Sequence, residues 1–306
     1  SSSDESDNSD SESNKKVNSE KNKNKIPKEK IYPEFTKFSR QNYTLSILIP
    51  SSIVDNAQSK ELRTYLIGEL ARTIGIFKIS EVIIFHDKLK NDSNNSKDYI
   101  NYFFKNLQYL ETPQNLRKTL FPMSEDLKLS GLMNPLESQH HLRKDEWFPY
   151  REGCILNRPA NGEYSWVNIG LNKDCKINQK LPPKTRVTVK LNEKGFDEKL
   201  KFYTGTPVSM SEPFLKTGAY WGYYVRICEN YNGIFEECIF EGGYDFIIGT
   251  SDKGENYRNA DFKKKKDFKH CLIMFGGISG IEGMINDDEH NKINGENNVK
   301  DNCDGY

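Results

Sequence analysis

Apolar residues in this chain come in short runs, each closed by proline, glycine or a polar cluster. Leu45-Ser46-Ile47-Leu48-Ile49 stops at Pro50-Ser51-Ser52, the signature of a buried strand entering a loop. The period then changes: Leu62, Tyr65, Leu66, Leu70 and Ile74 recur at helical spacing, which predicts an amphipathic helix facing its core with these residues. Ser59 is placed to cap its first turn and Gly75 lies near its end. Glu81-Val82-Ile83-Ile84-Phe85 is a second buried strand. Strand, helix and strand in succession predict a right-handed parallel crossover and hence an α/β layer. After an Asn/Ser-rich insert from Asn91 to Lys97, Tyr99 to Leu110 is again helical and Pro113 marks a break.

From about Arg151 the period becomes two. Tyr164-Ser165-Trp166-Val167-Asn168-Ile169 and Thr185 to Leu191 alternate between Gly, Asn and Pro turns, predicting a small antiparallel β module over 151–216 that suits an OB-like barrel. Its aromatics Tyr164, Trp166, Phe202 and Tyr203 either fill that barrel or stack on bases. Buried-strand character returns at Ala219 to Cys228, Tyr244 to Ile248 and Cys271 to Phe275, so the α/β sheet begun over 41–150 resumes over 217–286. The segment 287–306, rich in Asn, Asp and Lys, shows no further element.

Composition sharpens the boundaries. A hydrophobic fraction of 35% and a mean hydropathy of -0.78 are low for a folded chain of 306 residues, as expected where polar tails dilute an ordinary body. Residues 1–40 fit, running from an acidic Ser/Asp/Glu stretch into a Lys/Asn-rich one and reading as a disordered tail. Lys+Arg 44 against Asp+Glu 44 gives a formal net charge of +0, so only local patches bear on a nucleic-acid partner. Six scattered cysteines without a CxxC pair signal neither a zinc site nor a disulfide framework and fit a reduced, intracellular setting. No run approaches the ~20 apolar residues of a membrane span. The chain starts without Met and stops at Asp304-Gly305-Tyr306, which reads as a piece of a longer protein.

Two glycine turns close the last two strands, Gly249-Thr250-Ser251-Asp252-Lys253-Gly254 and Gly276-Gly277-Ile278-Ser279-Gly280. Ligands of open α/β sheets sit at such carboxyl ends, although neither turn spells a Walker loop or a Rossmann fingerprint. Glu282, just beyond, either meets a ligand hydroxyl or caps a helix. Arg63 is either an ion-paired surface arginine or an RNA contact beside the Pro50 to Gln58 loop. Lys263, Lys264, Lys265 and Lys266 form the clearest basic patch, with Arg117 and Lys118 a second and Arg143 a further cation beside His140 and His141. The adjacent histidines lack a third ligand at suitable spacing, so no metal site is expected. No nucleophile elbow or Cys/His pair is present.

Several blocks resemble one family closely. Leu48 to Ser59 with Glu61-Leu62-Arg63-Thr64-Tyr65-Leu66, Gln108 to Gln114 continuing to Lys118, Gly131 to Leu136, His140 to Arg143, Arg151-Glu152-Gly153, Tyr220-Trp221-Gly222-Tyr223, Ile248 to Ser251 and Phe275-Gly276-Gly277 agree in order. They are similar to the SPOUT class of RNA methyltransferases, in the archaeal and eukaryotic subfamily with an OB-like insertion. The resemblance implies a trefoil-knotted α/β domain, a homodimer through the knot, and methyl transfer from S-adenosylmethionine to RNA, with N3 of a uridine in large-subunit ribosomal RNA as target. It implies that Gly249, Thr250, Ser251, Gly276, Gly277, Gly280 and Glu282 surround the cofactor and that Arg63 faces the reacting nucleotide. With the basic tail, such a substrate implies a nuclear or nucleolar protein. The family continues into an Asn-Thr-Cys segment and a Gly-Ser-Arg-Thr-Ile-Arg-Thr-Glu-Glu stretch that closes the knot, and this chain is expected to end inside the preceding insert. The alternative reading is a non-catalytic RNA-binding or ribosome-assembly factor on the same scaffold.

Overall fold

The computed structural model describes residues 43–87, 95–159, 162–197, 201–252, 254, 256, 267–277, 280–286 and 303–304. Five strands, β1 (Thr44–Pro50), β2 (Glu81–Phe85), β8 (Tyr224–Cys228), β9 (Phe246–Gly249) and β10 (His270–Met274), form one sheet in the order β8-β2-β1-β10-β9. Every neighbouring pair is parallel, with Leu48 opposite both Ile83 and Met274. Parallel sheets bury both faces. Ile47, Ile49, Val82, Ile84 and Val225 pack against α1 (Lys60–Ile76) and α2 (Asn95–Glu111). Leu48, Ile83, Phe85, Leu272 and Met274 face the opposite way, toward α5 (Tyr231–Glu236) and α6 (Gly280–Asn286). No helix of the described residues is long and apolar enough to cross a membrane.

Helix α1 has the expected cap, with the Ser59 side chain accepting from the Leu62 N–H, but turns a different face inward. Its buried residues are Thr64, Ile67, Gly68, Ala71 and Ile74, whereas Leu62 and Tyr65 are more than half exposed. Small residues sit inside because the helix lies close to its neighbours: a Cβ on Gly68 would touch the Met133 side chain at 3.4 Å. The apolar run from Ala219 is also shorter as a strand than its sequence predicts. Only Tyr224–Cys228 pairs in the sheet, while Ala219 and Trp221 join Phe148 and Tyr150 in a separate cluster. Past the low-complexity stretch the chain comes back to the sheet: the Asp304 N–H donates to Ile247 O (2.8 Å), and Cys303 packs against the α5/α6 side. Two residues carry no periodicity, so sequence pattern is blind to this return. The tail through residue 42 lies outside the described residues.

Between α2 and β8 the chain builds α3 (Gln114–Leu120), then β3 (Tyr150–Ile155), β4 (Ser165–Asn168), β5 (Cys175–Ile177), β6 (Arg186–Asp197) and β7 (Phe202–Val208), and finally α4 (Ser211–Thr217). The five strands close into a barrel, β3-β4-β5-β7-β6, in which only β5 and β7 pair parallel. Its interior is filled by Ile155, Val167, Ile169, Cys175, Ile177, Val189, Leu191 and Tyr203. The structure is thus a mixed α/β fold: a parallel sheet with an inserted closed barrel.

A buried ionic network joins the two. Arg186 of β6 lies between Glu111, at the end of α2, and Glu152 of β3, with nitrogen-to-oxygen distances of 2.5 and 2.6 Å. Glu152 also accepts from Thr188 Oγ1 (2.5 Å) and Trp221 Nε1 (2.7 Å). His140 Nε2 stands 3.0 Å from Glu111 Oε1. Burial pushes the Glu111 carboxyl up, but Arg186 and His140 more than reverse this and hold it well below the usual carboxylate range. Gly222 completes the joint: it has φ +88, and a Cβ there would collide with the Glu111 carboxylate and approach His140 Cε1 to 2.8 Å.

Candidate active site

The carboxyl ends of β2, β1, β10 and β9 lie side by side, so the loops that follow them meet at one edge of the sheet. β1 ends in a tight helical turn over Ser51–Asn56, and β2 runs out through His86 into Asp87. These two ends are tied together. The Asp87 carboxylate accepts from Ser51 Oγ (2.8 Å), from the Ser52 N–H (3.0 Å) and from Ser52 Oγ. Gly277, after β10, lies against this cluster: a Cβ on it would sit 3.3 Å from Asp87 Oδ2 and 3.5 Å from Ser52 Oγ. Asp87 is the functional candidate that the sequence reading missed. The available signal was its place just after the apolar run Val82 to Phe85, at the strand's carboxyl end.

The glycines of the second turn differ in what they do. A Cβ on Gly276 would come within 2.6 Å of the backbone at Gly280 and Ile281, and Gly280 has φ +75, with its N–H donating to Gly277 O (3.0 Å). Both are therefore required by the turn itself. Gly277 has ordinary backbone angles, and the missing side chain there leaves open the space in front of Asp87 and Ser52. Glu282 folds back over Gly280, since a Cβ on that glycine would lie 2.6 Å from Glu282 Oε2. In the first turn Thr250 binds the end of β10 twice, its N–H and its hydroxyl both donating to Met274 O (3.0 and 2.9 Å), and Gly249 is the last residue of β9 with Ser251 half-buried beyond it.

Arg63, in the first turn of α1, holds the far end of the Ser51 to Gln58 loop. Its Nε donates to Ala57 O (3.0 Å), its guanidinium stands 3.9 Å from Asp55 Oδ1, and the Tyr99 ring lies 4.5 Å below it. The loop is thus fixed by a cation at one end and by Asp87 at the other. A groove of about 690 Å³ runs along the α1 side of β1 and β10, from Leu45, Phe77 and Ile79 at the strands' amino ends past Ile49, Leu70, Ile273 and Phe275, and only its far end, at Ser52, Asn56, Gly276 and Gly277, reaches this edge. An apolar cleft closed by a few polar groups is the usual form of a small-molecule site. For S-adenosylmethionine the residues fit: apolar walls suit an adenine ring, and the bare Gly277 backbone beside Ser52 and Asn56 admits close approach of the polar groups.

The basic residues fare unequally. Arg117 is engaged in holding the end of α2, with Nε donating to Thr112 O (2.9 Å), Nη2 to Leu110 O (3.0 Å) and its guanidinium 4.6 Å from the Tyr109 ring centre. That geometry caps a helix instead of presenting a cation to a phosphate. Lys118 and Arg143 are exposed. Lys263, Lys264, Lys265 and Lys266 lie outside the described residues. His140 and His141 both meet Glu111 O, at 2.8 and 2.6 Å, and no group of three metal-ligating side chains occurs among the described residues.

Comparison with known proteins gives the family. Residues 44–306 match the family described as "Putative RNA methyltransferase". A mouse protein named 28S rRNA (uridine-N(3))-methyltransferase is 42% identical over 261 residues, covering 82% of this chain and 67% of its own length. The human protein of that name is 41% identical over 261 residues, covering 82% and 68%. The one from Drosophila melanogaster is 41% identical over 262 residues, with 80% of this chain covered but 53% of the fly protein.

Proposed function

Because the chain belongs to this family of RNA methyltransferases, we propose that it methylates N3 of a uridine in large-subunit ribosomal RNA, with S-adenosylmethionine as donor. The observation that carries the reading is Gly277 of the β10 turn lying against Ser52 and Asp87, with the β9 turn bonded through Thr250 to the end of β10 and the Ser51 to Gln58 loop held by Arg63 and Asp87 at its two ends. The three mammalian and fly relatives supply the target by their names. The donor supplies a methyl group already made electrophilic by its sulfonium.

What remains for the protein is positioning and charge. Gly276, Gly277, Gly280 and Glu282 hold the donor's polar end, with Gly249, Thr250 and Ser251 beside them. Arg63 would face the uracil and stabilise the negative charge left on the ring when N3 gives its proton to solvent, a charge that is discharged as N3 takes the methyl group. Asp87 keeps Ser52 against Gly277, so that nucleotide and donor are presented from fixed loops. A homodimer and a knotted C-terminal closure belong to the same proposal, and the exposed apolar residues of α1 (Leu62, Tyr65 and Ile76) favour a second copy there. The substrate favours a nuclear or nucleolar site of action.

The test is transfer of labelled methyl from S-adenosylmethionine to a large-subunit ribosomal RNA fragment, followed by nucleoside mass spectrometry. Label at N3-methyluridine is expected, and it should fall sharply in Arg63→Ala. Donor binding without transfer to any RNA would favour the non-catalytic assembly factor instead.

A further inference from the structure

We propose that the outer face of β4, β5 and β7 is a second RNA site, a stacking platform for unpaired bases built from Tyr164, Trp166 and Phe202 with Arg158 and Lys176. The alternation of the strands sets it up. Val167, Cys175 and Tyr203 are cross-strand neighbours that point into the barrel, so Trp166, Lys176 and Thr204, paired in the same way one residue along, point out. Trp166 meets Phe202 edge to face at 5.1 Å and 87°, and Tyr164 at 6.0 Å and 85°. Arg158 lies 4.5 Å over the Trp166 ring and Lys176 4.1 Å over the Tyr164 ring.

The barrel core is complete without these three rings, so packing does not explain them. All three are only partly buried, and each edge-to-face contact covers a face of one ring of the pair only. The cations point to the ligand. Between residues 156 and 184 the chain carries five Lys or Arg against two Asp or Glu, and one of those acids, Asp174, is 3.7 Å from Arg158 in an exposed pair. Aromatic faces with interleaved cations suit a strand whose bases are free to stack and whose phosphates need neutralising, and an arginine plane stacks on a base as well as a ring does. A duplex has its base faces already occupied.

The inference rests on the RNA-methyltransferase reading for the identity of its ligand, but binding is measured without any transfer. The full chain is titrated with an oligouridylate of about ten nucleotides, a length within the span one such barrel covers, and tryptophan emission is followed. Trp221 is buried and Trp147 packs on the barrel core, so quenching reports Trp166. Quenching is expected, and Trp166→Leu should bind a dye-labelled oligouridylate roughly tenfold more weakly, the loss of about one stacked base. Trp166→Phe, which keeps a ring, should bind nearly as wild type. Lys176→Gln should lower the slope of log affinity against log salt by about one. Equal affinity in Trp166→Leu, or equal affinity for a duplex of the same length, overturns the platform. If Trp166→Leu binds as wild type while the wild type transfers methyl, the platform fails and the enzyme reading stands. If the platform binds and no methyl is transferred to any RNA, the enzyme reading fails alone.

Discussion

Replacing Arg186 by Met tests whether the sheet and barrel are held together as described. The guanidinium lies within 2.6 Å of carboxylates from both sides, and the Glu111 and Glu152 side chains are 5% and 1% exposed. Methionine fills much of the same volume but leaves two buried carboxylates facing each other without their cation. Breaking a buried pair in this way costs about 3–5 kcal/mol. The loss should depend on pH, and its sign follows from Glu111. In the wild type Arg186 lowers that carboxyl below its unfolded value, so the stabilisation is present above the ordinary carboxylate range and lost only as pH falls through the lowered value. In the variant burial, the largest influence on Glu111, raises it instead. Its deficit is then greatest at neutral pH and shrinks as acid protonates the carboxyl. Urea unfolding followed by tryptophan emission, at pH near neutrality and again about two units lower, measures both effects. A loss below about 1 kcal/mol, or one that does not change with pH, would refute the network's role.

Gly222→Ala should cost about 2 kcal/mol or more, from strain at positive φ together with collision against Glu111, and should lower the urea midpoint accordingly. Asp87→Asn keeps the side-chain size but loses charged acceptors for Ser51 and Ser52. Methyl transfer should fall about 100-fold, with far-UV circular dichroism unchanged; full activity would remove Asp87 from the site. Gly280→Ala, strained at φ +75 and pressed on Glu282, should weaken S-adenosylmethionine binding at least tenfold by calorimetry. Arg117→Gln should lower stability and leave RNA affinity unchanged in a filter-binding assay, since its donors are spent on Thr112 and Leu110.

The sequence was most informative where one local pattern decides the outcome. The apolar runs at Leu45 to Ile49 and Glu81 to Phe85, and the helix capped by Ser59, became β1, β2 and α1 within a residue or two. The inward face of α1 is not the bulky one its periodicity predicts, because close packing against Met133 selects Gly68, with Ala71 buried one turn on. Strands β3 and β5 do not show in the pattern, because β5 has three residues and β3 is buried throughout, so neither alternates visibly. Within the site, the glycine turns were legible because glycine has a local meaning. The Ser51, Ser52 and Asp87 cluster was not, because its bonds join residues 35 or 36 positions apart. Arg117 looked like a surface cation for the same reason: its partners are backbone carbonyls, which no sequence displays.

The central claim, a uridine-N3 methyltransferase acting from the carboxyl edge of the parallel sheet, is tested most directly by nucleoside mass spectrometry of large-subunit ribosomal RNA from cells lacking the protein. The account predicts that N3-methyluridine disappears, returns with the wild-type protein, and does not return with Arg63→Ala produced at the same level. An unchanged amount of N3-methyluridine in the deficient cells would contradict it.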